Sequence, residues 1–271
     1  MKQRSLAALF VALTAIACSS SRDDDGGTAK LPQAGAGGAA AQTGGTPAGV
    51  GAQGGGASGG AGVGGAVDAA LVKEWARQVT LDVEFGRPDG RVGRWATSPT
   101  LSVIQGSAAD RADLVDLLPV LDELIAPLAI EPVSDGDESA DIEVYFAPLA
   151  SFDAIAADNQ FTYVRGNWGY FYTFWNDGAE LTKAYILLAN DVLMGSELRH
   201  FTFEETTQSL GLGADSPIFA DSIFFADGDD GGSAQALSPL DRRLVRFLYT
   251  HLEAGDDVAV FDAQFDAHFF D

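Results

Sequence analysis

The 271 residues carry 16 Lys plus Arg against 39 Asp plus Glu, a formal net charge of -23 and a sequence pI near 4.2. Binding to a phosphate backbone needs clustered Lys and Arg, so nucleic acid is excluded as a partner. Cys18 is the single cysteine, which excludes an intrachain disulfide, and three histidines leave little material for a zinc site.

The chain begins with Lys2 and Arg4, an apolar run from Leu6 to Leu13, and Ala15-Ile16-Ala17 before Cys18. Such a run is too short to cross a bilayer, and residues 1–17 read as a signal peptide. The segment resembles a bacterial lipoprotein signal, which implies that Cys18 becomes the lipidated first residue of the mature chain. The expected location is the cell envelope, with the lipid as membrane anchor; Ser19 is compatible with sorting to the outer membrane. Residues 18–66 are mostly Gly, Ala, Ser, Thr and Gln, so they bury too little surface to fold and read as a disordered tether. Residues 67–271 are rich in Phe, Leu, Ile and Val and have the size of one domain with one core.

Within that domain Leu71, Trp75, Val79 and Val83 recur every four residues, which predicts a helix ending near Gly86, followed by a turn at Pro88-Asp89-Gly90. Thr100 to Gln105 reads as a strand, and Ala109 to Ile125 as a helix with Pro119 inside it. Asp141 to Phe146 alternates apolar and polar residues, so a half-buried strand is expected, its polar face turned to solvent or a cleft. Phe161 to Trp175 reads as an aromatic hairpin turning at Gly166, Asn167 and Gly169, and Lys183 to Ala189 as a central strand. A helix starts between Ser196 and Thr202 and ends at Gly211 to Gly213, and another starts at Ser238-Pro239. The order of elements indicates an α/β or α+β domain with a mixed sheet.

The chemistry-bearing tract is Glu204-Glu205-Thr206-Thr207-Gln208-Ser209-Leu210-Gly211-Leu212, followed by Asp215-Ser216 and Ser222-Ile223-Phe224. At about 100° per residue, Leu198, Phe201, Glu205, Gln208 and Leu212 share one stripe, with Glu204 at its edge. An acid or amide buried there needs a partner or a wet pocket. Two readings stay open. One is structural: Thr202 and Glu205 form a capping box, and Arg199 pairs with a carboxylate from the preceding turn. The other is a metal site: Glu204, Gln208 and Asp215, with His200 one turn before Glu204, make an oxygen-rich set suited to calcium, magnesium or manganese. Ala226 to Gly231 is acidic and glycine-rich but lacks calcium-loop spacing, so it reads as a solvated loop.

This tract resembles the active-site segment of metzincin metallopeptidases, H-E-x-x-H-x-x-G-x-x-H. Glu205 and Gly211 match the pattern, while its three histidine positions fall on Glu204, Gln208 and Ala214. The resemblance implies a zincin-like single domain: a mixed, mainly parallel sheet with an antiparallel edge hairpin, a central motif helix and a C-terminal helix. It also implies Glu205 as general base, whereas the missing histidines remove the ordinary zinc mechanism. Ser222-Ile223-Phe224 stands where metzincins place a turn ending in Met. Together with Arg94-Trp95 and Leu248-Tyr249, the tract resembles a bacterial family known as domain of unknown function 2927.

Three functions follow as alternatives. The degenerate cleft binds a peptide or surface partner, with Tyr163, Trp168, Tyr170, Phe171, Tyr172 and Trp175 lining it and at least half of them buried. In the second, a divalent cation on Glu204, Gln208 and Asp215 supports hydrolysis with Glu205 as base. In the third, the domain is a structural part of the envelope.

Overall fold

The computed structural model describes the backbone of Gly35–Gly37 and residues 68–82, 90–227 and 231–271, all in the unit Pro32–Asp271. Residues 1–17, read as a signal peptide, Cys18, most of the stretch read as tether, Val83, Pro88-Asp89 and residues 228–230 lie outside the described residues.

Gly35–Gly37 forms a short strand, β1, inside the stretch read as tether. Helix α1 is Ala69–Leu81, capped by the Asp68 side chain, which accepts from Ala70 N–H. Its buried stripe is Val72, Trp75, Ala76 and Val79; Leu71, expected inside, is 44% exposed. Strand β2 is Thr100–Gln105, α2 is Ala112–Ile125 with Pro119 inside it, and β3 is the two-residue Glu131–Pro132. Strand β4 is Ile142–Ala147, α3 is Phe152–Asp158, β5 is Gly169–Trp175 and β6 is Leu181–Ala189. Helices α4 (Ser196–Gln208), α5 (Pro239–His251) and α6 (Val258–His268) complete the described elements.

The sheet order is β1-β5-β6-β4-β2-β3. Strands β3, β2, β4 and β6 run parallel, and β5 pairs antiparallel with β6, so the five strands of the domain make a mostly parallel mixed sheet. Beyond β5, Gly35, Ala36 and Gly37 stand antiparallel opposite Thr173, Tyr172 and Phe171. The far border is β3, where exposed Pro132 has no N–H to offer a further strand.

Side chains alternate across the sheet and feed two hydrophobic clusters. Ile142, Val144, Phe146, Ile186 and Leu188 pack with α1, α2, α4, α5 and α6. Tyr145, Ala147, Tyr170, Tyr172, Tyr185 and Leu187 pack with Phe152 and Ala156 of α3 and with Phe161. The second cluster corrects two expectations. Strand β4 has no solvent face, because α3 and the loop after it cover that side; Glu143 is 1% exposed and bonds Lys183 Nζ and the Tyr145 hydroxyl. Phe161 to Trp175 is not a hairpin, because Phe161 drops into the cluster as loop, stacked on Tyr172 and Tyr185 at 4.9 and 5.0 Å. The true hairpin is β5–β6. Its turn is Asn176-Asp177-Gly178, where Asn176 Oδ1 accepts from Gly178 and Glu180 N–H.

Helix α6 had no counterpart in the sequence reading. Asp257 caps it, accepting from Ala259 and Val260 N–H, and Phe261, Phe265 and Phe269 converge edge-on around Phe247 of α5. Lys73 and Arg77 of α1 pair with Asp262 and Asp266 on its outer face. Exposed pairs of this kind each contribute at most about 1 kcal/mol.

Candidate functional site

Helix α4 carries the acids and amide of the tract and is enclosed on every side from Thr202 to Gln208, not along one stripe. A helix that deep must satisfy its hydroxyls internally: Thr202 and Thr207 donate to Leu198 and Phe203 carbonyls at 2.7 and 2.6 Å. The helix begins at Ser196 after the N-cap Gly195, so Thr202 is interior and the Thr202–Glu205 capping box does not form. The capping box of the domain is at α5, where Ser238 and Asp241 exchange bonds. Arg199 reaches past its own turn to Asp113 and Asp116 of α2, donates to Gln235 O, and lies 4.5 Å over the Phe203 ring.

The four residues proposed for chemistry separate into three settings. Gln208 and Asp215 are brought together, with Gln208 Nε2 donating to Asp215 Oδ1 at 2.8 Å. Glu204 lies 2% exposed, its Oε2 3.5 Å from His200 Nε2. Glu205 lies against the start of β5, where a side chain at Gly169 would begin 2.5 Å from Glu205 Oε1 and from Phe201 Cδ1. Among the described residues no group of three or more His, Cys, Asp or Glu assembles in a metal-holding arrangement. Ala214, at the third histidine position, is buried.

His200 is 3% exposed, and each ring nitrogen faces a carbonyl: Nδ1 to Ala234 O at 2.8 Å and Nε2 to Gly231 O at 2.9 Å. The imidazole thus ties the segment after the acidic loop down onto α4. Those partners stand 31 and 34 residues away, and no local spacing announces them.

The residues behind the family resemblance meet at the other end of α4. Gly211 adopts φ +112°, and a Cβ there would stand 1.9 Å from Gly93 O. Trp95 Nε1 donates to Ser209 O at 3.1 Å, and the Tyr249 hydroxyl donates to Leu210 O at 2.9 Å while accepting from Trp95 N–H. Arg94 closes the C-terminal end of α5, donating to the carbonyls of Leu248, Tyr249 and Leu252, with its guanidinium 5.0 Å over the Tyr249 ring. Burial pushes the Tyr249 phenol up, so the group stays a neutral donor.

Ser222-Ile223-Phe224 is fixed in the same manner. Ser222 Oγ and Ile223 N–H both donate to the fully buried Asp241 carboxylate, at 2.7 and 3.0 Å. Burial raises the Asp241 carboxyl above the ordinary range, against the opposing pull of those bonds and of Ser238. Ser216 N–H completes the loop by donating to Phe224 O. The aromatic set expected to line one cleft is divided by the sheet. Tyr163, Trp168, Tyr170 and Tyr172 sit in the α3-side cluster and Phe171 and Trp175 in the helical one; Tyr170, Phe171 and Tyr172 are buried.

Residues 69–259 match the family model described as protein of unknown function (DUF2927). No curated protein matches the chain.

Proposed function

Since the chain belongs to the family described as protein of unknown function (DUF2927), we propose that it is an exported, lipid-anchored envelope protein whose degenerate zincin-like domain binds extended peptide without cleaving it. Cys18 carries the lipid in this reading, and the outer membrane is the expected site. The mostly parallel sheet with an antiparallel border strand, the motif helix after β6 and the C-terminal helices support the zincin-like frame.

The observation that carries peptide binding is the outer border of β5, which pairs antiparallel with the extended backbone of Gly35–Gly37. Backbone hydrogen bonds along such a border give affinity without requiring a particular sequence. The three residues bring no side chain larger than methyl, so they are readily exchanged for a peptide with side chains of its own. The test is a peptide array probed with the full chain and with Ala36→Pro, which removes one N–H and frees the border. Extended peptides captured more strongly by the variant, with slowed amide exchange in Phe171 to Thr173, support the reading. Equal or absent capture by both forms overturns it. Metal analysis of the same preparations, beside Glu204→Ala and Gln208→Ala, tests the hydrolase alternative. Stoichiometric metal lost in both variants would replace a binding domain with a metal-dependent one.

A further inference from the structure

A cleft of about 160 Å³ opens between α5 and α6, away from α4, lined by Arg243, Arg246, Thr250, His251, His268 and Asp271. His251 and His268 stack face to face, their centroids 4.5 Å apart and their planes 9° apart. Both rings line the cleft. Arg243 is anchored by donating to Phe269 O at 2.7 Å, which holds the last turn of α6 on α5, and Arg246 lies half-exposed with one nitrogen on Glu123. Two guanidiniums and two imidazoles therefore face one small space on a chain whose net charge is -23.

Two stacked imidazolium rings repel each other unless an anion lies across their edges. Asp271 already plays that part weakly, its Oδ2 3.5 Å from His268 Nδ1 on a side chain that is 79% exposed. From these contacts we infer that the α5–α6 cleft is a binding site for a small tetrahedral oxyanion of the phosphate class, held by His251, His268 and Arg246 in place of the Asp271 carboxylate. A tetrahedral anion offers several oxygens to donors arriving from two helices, and the cleft has room for a headgroup or free phosphate but not for a nucleotide. Binding takes up protons. Burial and the neighbouring His268 hold the His251 imidazole below its ordinary range, and Asp271 opposes them. An anion across both rings reverses that balance.

Inorganic sulfate is the first probe, because it stays a dianion across the relevant pH range and its pH dependence reports the protein. It is titrated into the full chain at constant ionic strength, following the histidine Cε1–H resonances. The expected result is saturable binding that strengthens about tenfold between pH 8 and pH 6. His251 and His268 should shift together while His200 stays in place. Arg246→Gln and His268→Gln, both at half-exposed side chains that the core does not need, should each weaken binding about tenfold. Asp271→Asn should tighten it. Phosphatidylglycerol vesicles recruited by the wild type and not by Arg246→Gln would name a lipid headgroup as the source; saturable sulfate binding without vesicle recruitment would name a soluble anion. Sulfate that does not saturate, or binds all variants equally, overturns the site.

Discussion

The two ends of α4 solve the problem of buried polar atoms differently. At the C-terminal end, Trp95 and Tyr249 bond the carbonyls of Ser209 and Leu210, and Gly211 takes part through its backbone alone. Toward the N-terminal end, His200 faces Glu204, Arg199 faces α2, and the imidazole holds down a loop. The residues that carry the family resemblance belong mainly to the first end, where packing and hydrogen bonding account for them. Function must therefore be sought where side chains meet side chains, and along borders such as β5 and the α5–α6 cleft.

Gly211→Ala should give the largest effect. It combines a positive φ with a collision against Gly93 O, and should cost more than about 3 kcal/mol in denaturant unfolding. Milder loss would mean that the crossing at Gly93 is loose and the division of the helix less sharp. Tyr249→Phe leaves the Leu210 carbonyl without its donor in a fully buried site and should cost about 2 kcal/mol, spread over the whole domain. His200→Gln keeps one donor and should cost roughly 1 kcal/mol globally. Its distinctive sign should be local, with faster proteolysis between Gly231 and Gln235 while the Trp95–Tyr249 end keeps its amide protection. If Tyr249→Phe opened that loop equally, the two ends would be one unit.

The smallest effect concerns pH. The folded His251 imidazole sits below its ordinary value, so between that value and the ordinary one the unfolded chain binds more protons. Stability is then full above the ordinary histidine range and declines as pH falls through it. His251→Gln should flatten that part of a melting-temperature profile between pH 5 and 7.5. An unchanged profile would show that the stacked pair does not titrate with folding.

Much of the frame was legible because periodicity is a local signal. Strand β2, helix α2, the Lys183–Ala189 part of β6 and the start of α5 stand where apolar spacing and capping residues place them. The 3.6-residue period placed Glu205 and Gln208 inward but missed that Thr202 to Gln208 are buried on every face. What stayed hidden depended on distant partners. Phe161 looks like a strand residue until α3 and Tyr185 give it a loop position, and β4 reads as half-exposed until Lys183 pairs with Glu143. Helix α6 did leave a trace, in Asp257 and in the four-residue spacing of Phe261, Phe265 and Phe269. For His200 the four-residue spacing announced Glu204, whereas the carbonyls of Gly231 and Ala234 left no trace.

The crossing of Gly211 over Gly93 also separates two kinds of heredity within one motif. Position 211 is committed through its missing side chain, and nothing done to Glu204, Glu205 or Gln208 alters the space left at Gly93 O. The side chains at 204, 205 and 208 can vary while the glycine at 211 stays committed to the same backbone. A search keyed to the spacing from Glu205 to Gly211 will therefore recover proteins that share a crossing of chains, whether or not they share a reaction.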